Sequence, residues 1–285
     1  MRATLAWCGS VRYSNRAMLE LLRSKKVFIG VVHLLATPGS PRFAGDRRAI
    51  RRRAVEDARA LVAGGCDAVI VENFGDAPFF ARDVPPETVA AMALALDAVI
   101  DVAGNVPVGV NVLRNDARAA LGLCAATGAK FVRINVHTGA AVTDQGVIEG
   151  AAARTVRERD RLCPGVVLLC DVHVKHATPL GRESIEIAAL DTLHRGLADA
   201  LVVTGSATGR APNPSDLAAL RKVAADAVVL VGSGLDERNV RRLLAQSNGA
   251  IVGTSLKRGG RVGEPVELQR VQRLAKFFKR PTKER

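Results

Sequence analysis

Eight short apolar runs recur along this chain, most of them followed by a turn signal and then by a stretch with helical spacing. They cover Val27–His33, Ala68–Glu72, Val106–Asn111, Lys130–Asn135, Val166–Asp171, Ala200–Thr204, Ala227–Val231 and Ala250–Val252. Runs this short are below helix length and apolar on both faces, as buried strands must be. Strands that alternate with crossover helices build a parallel sheet. Eight such units in 285 residues predict a closed (β/α)₈ TIM barrel, which needs about 250 residues, with a short extension. An open doubly wound sheet is the competing arrangement. No G-x-G-x-x-G turn follows the first run, which counts against it. Asp46, Asn115 and Asn213 read as N-caps, Pro86 and Pro214 as first-turn prolines, and Gly64 and Gly128 as helix ends. The expected organisation is an extension over residues 1–26, with an amphipathic helix at Met18–Leu22 covering the barrel floor, and one barrel domain over residues 27–285.

Aromatic residues are 4% of the chain against 48% hydrophobic residues overall, so alanine, valine and leucine must fill the interior. The formal charge is +13, much of it in Arg47, Arg48, Arg51, Arg52 and Arg53 and in the tail Lys276, Lys279, Arg280, Lys283 and Arg285. Ile50, Ala54, Ala58, Leu61 and Val62 share one helical stripe, which leaves most of those arginines outside. A solvated helix face is the simple reading; a surface for an acidic protein or a peripheral membrane contact is the functional one. No aromatic residues interleave with the arginines, so nucleic-acid binding has only net charge behind it. The five cysteines form no C-x-x-C pair, and Cys66, Cys124 and Cys170 read as small core fillers. No run approaches the roughly 18 apolar residues of a membrane span, and residues 1–26 lack a signal-peptide core. The expected compartment is the cytoplasm.

In a barrel, the C-terminal ends of all strands face one pocket. Here those ends carry His33, Glu72, Asn111, Arg133, Asn135, His137, Asp171, His173, Lys175 and Thr204. Period-two alternation puts Arg133, Asn135 and His137 on one side, and Asp171, His173 and Lys175 likewise. Asp171 and Glu72 are assigned as general base and acid, assisted by His173 and His137. His33, Asn111, Arg133, Asn135, Asp144 and Thr204 are assigned to substrate. Lys175 could form a Schiff base, although it falls in the loop past its strand. His33, Glu72, Asp171 and His173 could instead converge on a divalent ion, but no tight ligand spacing requires one, and the cofactor is left open. The alternative is a polar plug in which Arg133 pairs with Asp171 or Glu72.

The last two strands end in Gly232-Ser233-Gly234 and Gly253-Thr254-Ser255. Loops after the final two barrel strands lie side by side, and glycine lets their main chain approach an anion closely. These six residues are assigned to a phosphate group. Lys257 either adds charge there or sits in solvent. Thr138–Gly150 is too polar and glycine-rich for a helix and reads as a lid, with Asp144 and Gln145 reaching into the site.

Nine segments carry a resemblance: IGVVHLLATPGSPR, AVIVENFGDAPF, VGVNVLRNDA, FVRINVHTGA, TDQG, DVHVKHATPL, VVTGSATG, VGSGLDERNV and IVGTSLKRGG. From about Val27 to the tail the chain resembles the BtpA/SgcQ family. The resemblance implies a TIM barrel similar to the ribulose-phosphate-binding group. It also implies kinship with a cyanobacterial protein of photosystem I biogenesis and with bacterial proteins of sugar metabolism. It supplies no catalytic residues. The expectation is an enzyme acting on a phosphorylated sugar or nucleoside-like metabolite by isomerisation, epimerisation, lyase chemistry or glycosidic cleavage, as a homo-oligomer or alone. The alternative is a non-catalytic assembly or stabilisation factor docking through its basic surface.

Overall fold

The computed structural model describes residues 16–181, 184–205 and 208–279. Cys8 and the tail residues Arg280, Lys283 and Arg285 lie outside them. In chain order the elements are α1 (Arg16–Ser24), β1 (Val27–His33), α2 (Arg47–Gly64), β2 (Ala68–Glu72), α3 (Pro86–Ala103), β3 (Val108–Asn111), α4 (Ala117–Thr127) and β4 (Phe131–Ile134). They continue with β5 (Ala140–Thr143), β6 (Gly146–Glu149), α5 (Ala152–Leu162), β7 (Val167–Val172), β8 (Ala177–Pro179), α6 (Ile185–Leu190) and β9 (Ala200–Val203). The chain closes with α7 (Pro214–Val223), β10 (Val229–Val231), α8 (Val240–Ala245), β11 (Gly249–Val252) and α9 (Leu268–Phe278). Eight parallel strands close in the order β1-β11-β10-β9-β7-β4-β3-β2. This is a TIM barrel.

Alternation along each strand sorts side chains into two cores. Facing inward, Val27, Ile29, Ile70, Phe131, Leu169 and Leu230 are buried with Met18 and Leu22 of α1, which seal the floor as expected. Phe131 fits because its register partner on the adjacent strand β3 is Gly109; a Cβ there would lie 2.4 Å from the ring. Facing outward, strand residues such as Phe28 meet Leu61, Met92, Leu96, Leu121 and Leu243 of the surrounding helices. Burying each such side chain is worth about 1.5–3 kcal/mol. The ring of helices closes where α9 meets α2, and Phe278 stacks on Phe28 with centroids 4.5 Å apart.

Register sets the height of the polar residues. His33 pairs with Glu72, and Glu72 with Asn111, so three polar ends stand at one level. The expected strands are found, several shorter by one or two residues. Asp116, not Asn115, caps α4, accepting from the Ala119 N–H at 2.8 Å, while Asn115 bonds both backbone groups of Val136. The left-handed C-cap of α2 is Gly65. Helix α8 begins only at Val240, because Asp236 and Asn239 hold one another's backbone in a turn before it.

Residues 138–150 form a β-hairpin, not an irregular loop. Its strands β5 and β6 turn at Asp144-Gln145, followed by Gly146 at φ 90°, and β8 adds a third antiparallel strand. Ala141 and Ile148 face inward onto Val136 and Val174, which anchors the hairpin beside the C-terminal mouth.

Candidate active site

Arg133 is the centre of the barrel mouth. Its Nε and Nη2 each donate to Asp171 at 2.9 Å, and Nη1 donates to Glu72 at 3.3 Å. Burial would depress the guanidinium, but the two carboxylates outweigh it and hold its pKa above the ordinary arginine range. Asn135 adds a 3.1 Å bond to Asp171 Oδ2, and Asn111 a 3.3 Å bond to Glu72 Oε1. The pairing foreseen for a polar plug therefore exists, but it does not fill the mouth.

Above Arg133 lie two joined lobes, of about 270 Å³ and about 170 Å³. Glu72, Arg133, Lys175 and Thr208 line both. The larger lobe runs to the glycine turns of β10 and β11 and is also bounded by His33, Arg238 and Arg270. The smaller is walled by Phe74 and Phe79, with Asn111, Asn135, Arg114 and Asp144. Asp144, at the hairpin tip, lines the smaller lobe, whereas Gln145 beside it lines neither.

Lys175 lies past the end of β7, yet its side chain faces both lobes. Its N–H donates to Thr204 Oγ1 at 2.8 Å and its carbonyl accepts from Arg114 Nη2, so the backbone is held from two sides. Burial, helped by the Arg133 charge, lowers the ammonium pKa to about 8. His33 stands 3.9 Å from Glu72 Oε2 and 4.6 Å, ring to ring, from Phe74. Burial, then the charges of Lys257, Lys175 and Arg133, push its pKa well below the usual histidine value, so the ring is neutral at pH 7.

The glycine turns are built by close approach. A Cβ on Gly232 would meet Val202 at 2.4 Å, one on Gly234 the Ala211 nitrogen at 2.0 Å, and one on Gly253 the His33 ring at 2.7 Å. Gly234 also has φ +67°. The Ser233 hydroxyl donates to the Arg210 carbonyl at 2.9 Å and the Ser255 hydroxyl to the Leu235 carbonyl at 2.7 Å. Both hydroxyls stitch loops together, which leaves main chain as the lining. Thr254 and Ser255 open a helical turn whose intrahelical bonds begin at Leu256, so their own N–H groups have no partner within it.

Several assignments shift. Asp171, assigned as general base, has both oxygens bound by Arg133 and Asn135, is fully buried, and lines neither lobe; it positions Arg133. His137 lies past the end of β4, where alternation no longer holds, and bonds the Gly196 carbonyl at 2.7 Å outside both lobes. His173 has φ 48° and borders a separate space of about 80 Å³ under the hairpin, which Asp171 also borders. Thr204 supports Lys175 instead of reaching the lobes. The four-residue metal set does not converge, since Arg133 stands between Glu72 and Asp171. Among the described residues no group of three His, Cys, Asp or Glu side chains is arranged to hold a metal. Lys257 is neither solvated nor at the glycine turns: it is fully buried, 2.7 Å from Asp57 of α2.

Arg238 and Arg270 were not legible as site residues. Arg270 comes from the final helix and donates to the Ser255 carbonyl at 3.2 Å; only its basic charge on an amphipathic helix could have hinted at it. Phe79 was equally hidden, because it lies beyond the turn at Phe74–Asp76 and comes against Phe74 only in the fold, their ring centroids 6.4 Å apart.

The BtpA family model matches residues 24–280. The chain belongs to the BtpA family. It is 46% identical over 254 residues to the photosystem I biogenesis protein BtpA of Synechocystis, covering 89% of this chain and 88% of that one. It is 34% identical over 256 residues to the putative sgc region protein SgcQ of Escherichia coli, covering 88% and 94%. Among solved structures, the barrel resembles thiamine phosphate pyrophosphorylase from Pyrococcus furiosus with a TM-score of 0.57 at 15% identity, covering 91% of this chain and 98% of that chain. At that identity the likeness concerns the fold.

Proposed function

We propose that this BtpA-family barrel is a cytoplasmic enzyme acting on a phosphorylated sugar or nucleoside-like metabolite. The observation that carries this reading is the pair of adjoining lobes: the one bordered by the main-chain cradle and two arginines shares Glu72, Arg133 and Lys175 with the other. A dianion would sit on the amides of Ser233, Gly234 and Gly253–Ser255, the Gly232 N–H being taken by the Val203 carbonyl at 2.8 Å, with Arg238 and Arg270 supplying charge. Glu72 is the proton-transfer group, because it is the carboxylate shared by both lobes. Arg133 and Asn111 fix its orientation, and neutral His33 borders it. Arg133, Asn111 and Asn135 can stabilise negative charge developing on a substrate oxygen. The likeness to a barrel named for a thiamine phosphate reaction supports a phosphorylated ligand. The test is calorimetric titration with inorganic phosphate and ribose 5-phosphate. Binding that weakens at least tenfold in an Arg238→Gln/Arg270→Gln variant supports the reading; no binding by the unaltered protein ends it.

A docking role is the second reading. It is favoured by the name of the 46% identical relative, a photosystem I biogenesis protein, and by the exposed face of Arg47, Arg48, Arg51 and Arg52. Arg53 does not belong to that face, since it pairs with buried Asp57 at 3.2 Å. Docking of this kind predicts salt-sensitive retention on anionic vesicles, lost when those four arginines become glutamate.

A further inference from the structure

We propose that Lys175 is a covalent nucleophile that forms an imine with the carbonyl carbon of a phosphorylated aldehyde or ketone held in the cleft. This deepens the preceding reading and rests on it, because it narrows the substrate to a compound with a free or ring-opened carbonyl and sets glycosidic cleavage aside.

The geometry comes first. The lysine backbone is fixed through Thr204 and Arg114, while the side chain projects between the two lobes. Among the described residues no carboxylate lies within ion-pair distance of its Nζ. That contrasts with Lys257, which is fully buried and bonded to Asp57 at 2.7 Å, whereas Lys175 is half-buried. A structural lysine is paired; this one is pinned at the root and left open at the tip. A phosphate in the glycine turns would place the rest of a short chain against it. The anion anchor and the amine line the same lobe.

Electrostatics supports the assignment. Around Lys175 stand the cations Arg133 and Arg114 and the carboxylates Glu72, Asp171 and Asp144, with His176 at the rim and uncharged His33 beyond Glu72. Burial and the arginines outweigh the carboxylates, so the amine titrates at about 8. About a tenth of it is therefore deprotonated at pH 7. Among surface lysines of ordinary pKa the fraction is well below a hundredth.

The step balances without a cofactor. The neutral amine attacks the carbonyl carbon, and the C=O π pair moves to oxygen. One N–H proton passes to that oxygen through Glu72, giving a carbinolamine. A second proton, from solvent, lets hydroxide leave as water while the nitrogen lone pair forms C=N. The product is a protonated imine, which withdraws electrons from the adjacent carbon and makes its proton or its carbon–carbon bond easier to break.

The test uses the full chain with pyridoxal 5′-phosphate, and separately glyceraldehyde 3-phosphate, each in the presence of cyanoborohydride. Peptide mass mapping should find the reduced adduct on Lys175. Labelling should rise with pH to a plateau above about 8, and millimolar inorganic phosphate should suppress it. Lys175→Arg should lose that adduct while still binding phosphate by calorimetry and keeping its thermal midpoint. Labelling spread over surface lysines, with Lys175 unmodified while phosphate still binds, overturns the imine and spares the phosphorylated-ligand reading. Failure of phosphate to bind the unaltered protein overturns both.

Discussion

Arg133 and Asp171 meet as a two-point ion pair, Nε to Oδ1 and Nη2 to Oδ2, both at 2.9 Å, at the centre of a barrel where neither side chain is more than 2% exposed. Removing one member strands the other in a medium that solvates charge poorly, at a cost of about 3–5 kcal/mol. Asp171→Ala should therefore lower unfolding free energy by about that amount in urea titration. Glu72→Gln should cost much less, because Arg133 keeps its two-point partner. Equal losses for the two variants would mean that Arg133 is not organised around Asp171.

The Lys257–Asp57 pair makes a separate claim about architecture. It ties the loop after β11 to α2, and Asp57 also accepts from the Val266 N–H at 2.7 Å. Asp57→Ala should destabilise by about 3–5 kcal/mol and also weaken phosphate binding, since the glycine turn loses its tether. A matched apolar pair, Asp57→Leu with Lys257→Met, should recover most of the stability. No recovery in the double variant would show that the hydrogen bond to Val266, not the charge pair, dominates.

His33 sets a pH dependence with a definite sign. Its folded pKa lies well below the 6.5 of the unfolded chain, chiefly through burial. The unfolded state therefore binds the proton first, and stability falls as pH drops below 6.5. Between pH 7.5 and 5.5 the unaltered protein should lose about 1.4 kcal/mol more than His33→Asn. Denaturant midpoints at the two pH values measure the difference. Parallel losses would place the proton elsewhere.

Gly253 tests the cradle directly. A methyl there would lie 2.7 Å from the His33 ring, which is itself backed by Phe74. Gly253→Ala should cost about 1–3 kcal/mol through overpacking. It should also weaken phosphate at least tenfold in calorimetry. Unchanged affinity would remove this turn from the anion site.

The fold was legible because periodicity and strand-end glycines are local signals. Val27–His33 and Ala68–Glu72 were found with their observed bounds, and the floor helix carrying Met18 and Leu22 was found in place. The site was legible only as a neighbourhood. Alternation places Arg133 correctly while β4 lasts, but the strand stops at Ile134, and His137 then follows a turn that no period describes. His173 fails for a similar reason, its backbone being left-handed. Whether a carboxylate faces a cavity or an arginine depends on partners distant in sequence, so Asp171 and Glu72 could not be told apart. Arg270 enters from the last helix, 137 positions beyond Arg133 in the numbering. The segment read as a lid does not show its hairpin in the sequence, because the alternation spans only four residues a side.

The floor sealed by Met18, Leu22 and Phe131 closes the barrel at the end opposite its polar strand ends. On the proposed function, substrate would therefore enter, and product leave, past the glycine loops, and an inert phosphate analogue seated there should inhibit competitively.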